Sequence, residues 1–226
     1  MDSYKINKAK LYQLTSNGNC YYLQMKIFVY PISTRLVYYT GKIGLHPIYL
    51  TILVGLFSVL CLIFYHIQMY SFALMFFWAR TVLDYSDGAL ARYTNKESRV
   101  GGYLDGNIDK SFFIALWVLV ALQLPTMAFK AYFLTSCFAY LFIIDLFVMP
   151  KIGQLKKRAW LKQYFMDRGI LIGMGAYLEL EFWILVFLAL GFEQHYILIL
   201  LVLNNLDVVY RMFEVRKSNV QLSEND

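Results

Sequence analysis

Long apolar runs alternate with short polar stretches along most of this chain. Six segments reach membrane-spanning length, at about residues 47–65, 69–91, 101–123, 128–149, 169–191 and 195–213. Crossing the hydrocarbon core takes about 20 predominantly apolar residues in a helix. The pattern therefore predicts six crossing helices. His46-Pro47-Ile48-Tyr49-Leu50-Thr51 opens the first, with proline at the helix start where its missing N–H costs least. The stretch before it has another pattern. Residues 26–45 interleave Ile27, Phe28, Val29, Ile32, Leu36, Val37 and Ile43 with Lys26, Arg35 and Lys42. That mixture predicts an amphipathic helix in the interface plane, opening near Pro31.

The expected architecture is an all-α, polytopic membrane protein. Six transmembrane helices (46–215) follow an N-terminal arm with its juxtamembrane amphipathic helix (1–45), and a polar tail (216–226) closes the chain. Composition agrees. The chain is 59% hydrophobic and 16% charged, against about 45–50% and 25% in soluble domains. Its mean hydropathy is +0.50. The first 25 residues lack an apolar signal core, so no cleavable leader is expected.

The formal charge of +6 could suggest nucleic acid, but its distribution argues against that partner. Of the 21 basic residues, six precede His46, three lie in 92–100, six in 151–168 and three from Arg211 on. All of these fall on one side of a six-span layout. By the positive-inside rule both termini face the cytoplasm. Cys20, Cys61 and Cys137 form no metal-binding spacing and suggest no disulfide frame.

Acidic residues change the picture. Asp84 and Asp87 sit at the end of the second span, with Gly88 and Ala91 at positions that share their helical face. Gly101, Asp105 and Asp109 step by four and share a face of the third. A charge at the bilayer centre costs about 2.5–3.5 kcal/mol or more. Capping or surface placement accounts for one or two such acids, not for four on two coherent faces. Carboxylate oxygens are the ligands that Mg²⁺ and Mn²⁺ prefer. Arg80, one turn before Asp84, is expected to form an ion pair with Asp84 or another of these acids. Lys110 points about 100° away from Asp109 and is expected to be a packing or snorkelling charge.

The stretch Asp84-Tyr-Ser-Asp87-Gly88-Ala-Leu-Ala91-Arg92, eight residues, then Gly101-Gly-Tyr-Leu-Asp105-Gly-Asn-Ile-Asp109 resembles the signature of the CDP-alcohol phosphatidyltransferase family. All eight fixed positions agree over 26 residues. The resemblance implies transfer of a substituted phosphate group from a CDP-linked alcohol, such as CDP-diacylglycerol, to a second alcohol, with release of CMP. It implies Asp84, Asp87, Asp105 and Asp109 as ligands for Mg²⁺ or Mn²⁺, two ions in all, and Asp109 as general base. It places Gly88, Ala91, Arg92 and Gly101 at the nucleotide, with Thr51 lining the same site. Ile48 stands where relatives often carry asparagine. Many relatives bind a phosphorylated polyol acceptor, for which Arg168, Arg211, Arg158 and Lys162 are the cationic candidates here. Homodimerisation, phospholipid biosynthesis and a prokaryotic cell membrane are further implications. The alternatives are a soluble polar CDP-alcohol donor, as in di-inositol-phosphate synthesis, and a cation-coupled transporter, for which Glu179 and Glu181 are the supporting residues. No hydrolase or P-loop motif occurs.

Overall fold

The computed structural model describes residues 21–22, 25–143, 164, 170–171, 177–192 and 197–223. Its architecture is helical. A single π-helical turn, Met25–Val29, leads into α1 (Tyr30–Lys42), with Pro31 in the first turn of α1. Then come α2 (Pro47–His66), α3 (Tyr70–Thr94), α4 (Arg99–Gln123), α5 (Met127–Phe142), α6 (Tyr177–Ala189) and α7 (Ile197–Ser223). Among the described residues, extended pairing is confined to a two-residue parallel ladder of Tyr21–Tyr22 with Ile170–Leu171.

Two compact units divide near the middle of α4. Of the described residues, the first holds those up to Ala115 together with Ile170 and Leu171, and the second the rest from Leu116 on. In the first unit, α1, α2 and α3 share an apolar core of Val37, Tyr38, Leu50, Val54, Leu83, Ala89 and Leu90. The α2–α3 contact continues as stacked rings, with Phe64 5.2 Å from Phe76 and 5.3 Å from Phe72. Ser33 donates to the Val82 carbonyl at 3.0 Å, fixing α1 along α3. Gly41 makes the closest approach. A Cβ there would stand 2.7 Å from Tyr93 Cε1. In the second unit, Asn205 on α7 donates to Tyr132 Oη (3.0 Å) and Ser136 Oγ (3.2 Å) on α5.

Helix ends follow local chemistry. His46 caps α2, its Nδ1 accepting from Ile48 N, and Pro47 takes the first helical position as expected. α3 runs to Thr94, past the Arg92 at which the sequence suggests a loop. Asn95 then stops it in the left-handed conformation (φ 54°), with Lys96 N closing back on the Ala91 carbonyl at 2.9 Å. Ser98 begins α4 by accepting from Gly101 N at 2.9 Å. The connection is thereby cut to residues 95–98. α7 likewise continues to Ser223, beyond the Arg216 at which a loose tail is expected.

Among the described residues, one helix, Pro47–His66, is long and apolar enough to cross a membrane by length and composition. α3 and α4 have 25 residues each, ample for a span, but Arg80, Asp84, Asp87 and Arg92 interrupt one, and Arg99, Asp105, Asp109 and Lys110 the other. Most of the charges that lower their hydropathy, Arg99 and Lys110 excepted, build the site. Most of the basic 151–168 loop, the start of the fifth predicted span and residues 1–20 lie outside the described residues.

Candidate active site

The site is assembled in the first unit, where α3 meets α2 and α4. Asp84, Asp105 and Asp109 converge, with one carboxylate oxygen from each within 4.8 Å of the others. Helical spacing dictates this, because Asp105 and Asp109 are one turn apart on α4 and both lie beside Asp84 of α3. The fourth acid takes a different position. Asp87 is buried and accepts from Thr51 Oγ1 at 2.6 Å. It therefore faces α2 and is not one of the three clustered acids.

A cavity of about 230 Å³ adjoins the cluster. Its walls include Thr51, Asp87, Gly88, Ala91, Arg92, Gly101 and Asp105. Every position that the sequence motif associates with a nucleotide thus lines one space. Gly88 keeps it open next to Arg92, since a Cβ there would lie 3.4 Å from Arg92 Nη1. A Cβ at Gly101 would stand 2.9 Å from Ser98 Oγ, so a side chain there would push on the Ser98 cap. Ile48 also lines the cavity, so the asparagine position of relatives is present in space and apolar in character.

Electrostatics set the chemistry. Two like charges about 4 Å apart repel by about 4 kcal/mol at an effective dielectric of 20. Three convergent carboxylates need counter-charge. Arg80 provides one unit. It is fully buried, ion-paired to Asp109 through Nη2, and donates from Nε to Ser58 Oγ at 2.9 Å. Its guanidinium carbon lies 4.5 Å from the Phe112 ring centroid and 5.2 Å from that of Phe113. The expected pairing of Arg80 with a motif acid is met, with Asp109 as partner. Among the described residues, this one cation faces three acids. Asp105 Oδ1 is buried with no hydrogen-bond partner. An all-oxygen donor set with an unsatisfied carboxylate oxygen fits a hard divalent cation.

Ser58, Phe112 and Phe113 were not apparent from the motif. A signal for Ser58 does exist. Thr51, Val54, Ser58, Cys61 and Tyr65 are all buried and lie along one side of α2, so small and polar residues at that spacing mark its inward face. Lys110 is exposed, in keeping with a charge turned away from the acids. Of the acceptor candidates, Arg211 lies on α7, while Arg158, Lys162 and Arg168 fall outside the described residues.

The fold and site define a helical protein with an acidic cluster that could hold a cation beside a cavity of about 230 Å³. The family model for CDP-alcohol phosphatidyltransferase matches residues 45–210. The chain belongs to this transferase family, as its motif suggests. No curated protein matches it significantly.

Proposed function

We propose that this protein is a membrane enzyme that transfers a substituted phosphate group from CDP-diacylglycerol to the hydroxyl of a polar, phosphorylated acceptor, releasing CMP, in phospholipid biosynthesis. One observation carries the reading. Asp105 belongs both to the convergent acids and to the wall of the adjoining cavity. A pyrophosphate held in the cavity would thus lie against the residues that hold cations.

Asp84, Asp105 and Asp109 would hold the metal, with Asp87 contributing from the cavity side. Two Mg²⁺ or Mn²⁺ ions would supply neutralisation of the bridging phosphates and of the leaving oxygen. Gly88 and Ala91 leave a flat surface for the cytidine. Arg92 is placed for a phosphate oxygen, to which a guanidinium can donate twice. Thr51 keeps Asp87 oriented, and Gly101 leaves space on the ribose side. The acceptor oxygen forms a bond to the phosphorus that carries the first alcohol. The bond from that phosphorus to the CMP oxygen breaks, and Asp109 takes the acceptor's proton. Positioning and charge neutralisation supply most of the rate in such transfers. Arg168 and Arg211, with Arg158 and Lys162 nearby in sequence, are assigned to the acceptor phosphate.

The same reading places six spans in a prokaryotic cell membrane, with α1 in the interface plane and both termini and the site cytoplasmic. It takes the protein to be a homodimer. The test is CMP release by purified protein with Mg²⁺ or Mn²⁺, CDP-diacylglycerol and a panel of polyol phosphates and free alcohols. Acceptor-dependent release that disappears in Asp109→Asn is the expected result. Turnover with only a polar CDP-alcohol would move the donor to the soluble class. Silence with every donor would overturn the transferase reading and favour cation-coupled transport.

A further inference from the structure

Arg80 is held from several sides in a way that its ion pair alone does not require. Nη2 bonds Asp109 Oδ1, Nε is tied to Ser58 Oγ at 2.9 Å, and the Phe112 and Phe113 rings pack on the guanidinium. The side chain is completely buried, and its Nη1 has no hydrogen-bond partner. Any structural arginine in an apolar bundle needs a counter-charge. This one takes an oxygen of an acid that also converges with Asp84 and Asp105.

Two consequences follow from that geometry. Asp109 Oδ1 already accepts from Arg80, so Oδ2 is the oxygen left clear of the guanidinium to face a cation or an acceptor hydroxyl. The guanidinium also places a permanent positive charge within the acid cluster. It thereby competes with divalent cations for the field of those carboxylates.

We propose that Arg80 is a positioning residue for the transfer reaction. It acts as a resident cation that keeps Asp109 one-armed and weakens the cluster's hold on divalent metal, so that Asp109 is kept for the acceptor's proton and not drawn wholly onto the metal. This inference rests on the metal-dependent reading above. A merely structural Arg80 makes the opposite prediction, because loosening the bundle would weaken metal binding and turnover together.

The experiment measures Mn²⁺ binding by electron paramagnetic resonance on the detergent-purified full chain, alongside steady-state CMP release. Wild type, Arg80→Gln, Arg80→Lys and Ser58→Ala are compared, with melting temperature as the check on folding. Arg80→Gln is expected to bind Mn²⁺ roughly tenfold more tightly, since a repelling charge has been removed, while kcat falls and KM for the donor changes little. Arg80→Lys retains the charge and is expected to restore wild-type Mn²⁺ affinity with only part of kcat. Ser58→Ala leaves the charge in place but releases Nε, so kcat falls several-fold at unchanged Mn²⁺ affinity. If Arg80→Gln fails to fold, the other two variants decide the matter. Unchanged or weaker Mn²⁺ binding in Arg80→Gln, or unaltered kcat in Ser58→Ala, overturns the proposal. Failure of the wild type to bind Mn²⁺ overturns instead the metal reading on which the proposal rests.

Discussion

At the scale of single residues, Thr51 and Asp87 show how a site is divided between neighbouring helices. The Thr51 hydroxyl is buried on α2 and donates to the Asp87 carboxylate on α3. Thr51→Val removes the donor while keeping the shape. Leaving a buried polar group unsatisfied costs about 1–3 kcal/mol. We expect a lower melting temperature and a higher KM for the CDP donor, with kcat less affected. An unchanged KM would show that Asp87 needs no orienting partner. The acids themselves were legible in the sequence, because their type and spacing are unusual among apolar residues. The separate position of Asp87 was not, because its partner lies 36 residues away and spacing along one helix says nothing about a neighbouring helix. Arg80 was legible as an expensive buried charge. The ring pair that packs on it was not, since phenylalanine is common throughout the chain.

At the scale of elements, close helix contacts position the acids. α1 lies on α3 through Gly41, where an added side chain would meet the Tyr93 ring. Overpacking of this kind costs about 1–3 kcal/mol. Gly41→Leu is expected to lower the melting temperature, and a second change, Tyr93→Ala, to recover part of the loss by making room. Additive losses in the double variant would contradict that contact. The starts of α1 and α2 were readable from Pro31 and Pro47, since proline fixes a helical φ and needs no partner for nitrogen. The end of α3 was harder to place. Arg92 and its polar neighbours suggest a loop, yet the helix continues until Asn95 supplies the left-handed stop. Asparagine tolerates that conformation through its short polar side chain, a property not visible in hydropathy.

At the scale of the whole molecule, hydropathy and charge pull in opposite directions. The acids and Arg80 lower the apolar character of α3 and α4, and α5 and α6 are described over only 16 and 13 residues, so among the described residues one helix alone is long and apolar enough for a span. The six-span layout therefore rests on the sequence pattern and on the one-sided distribution of basic residues. It predicts that the 95–98 connection is cytoplasmic and that the α4–α5 turn is external. Met127 is 78% exposed at that turn. In intact cells a membrane-impermeant thiol reagent is expected to label Met127→Cys and to reach Lys96→Cys only after lysis. The reverse pattern would invert the topology.

Asp105 belongs both to the convergent acids and to the cavity wall, so cation and cytidine nucleotide are expected to bind as one. The decisive experiment is calorimetric titration of CMP into the purified protein, with and without Mn²⁺, with Asp105→Asn run alongside. CMP binding is expected to depend on Mn²⁺ in the wild type and to be lost or weakened at least roughly tenfold in Asp105→Asn, because that carboxylate lies in the acid cluster and in the cavity wall together. CMP binding that ignores Mn²⁺ and survives Asp105→Asn unchanged would contradict that expectation.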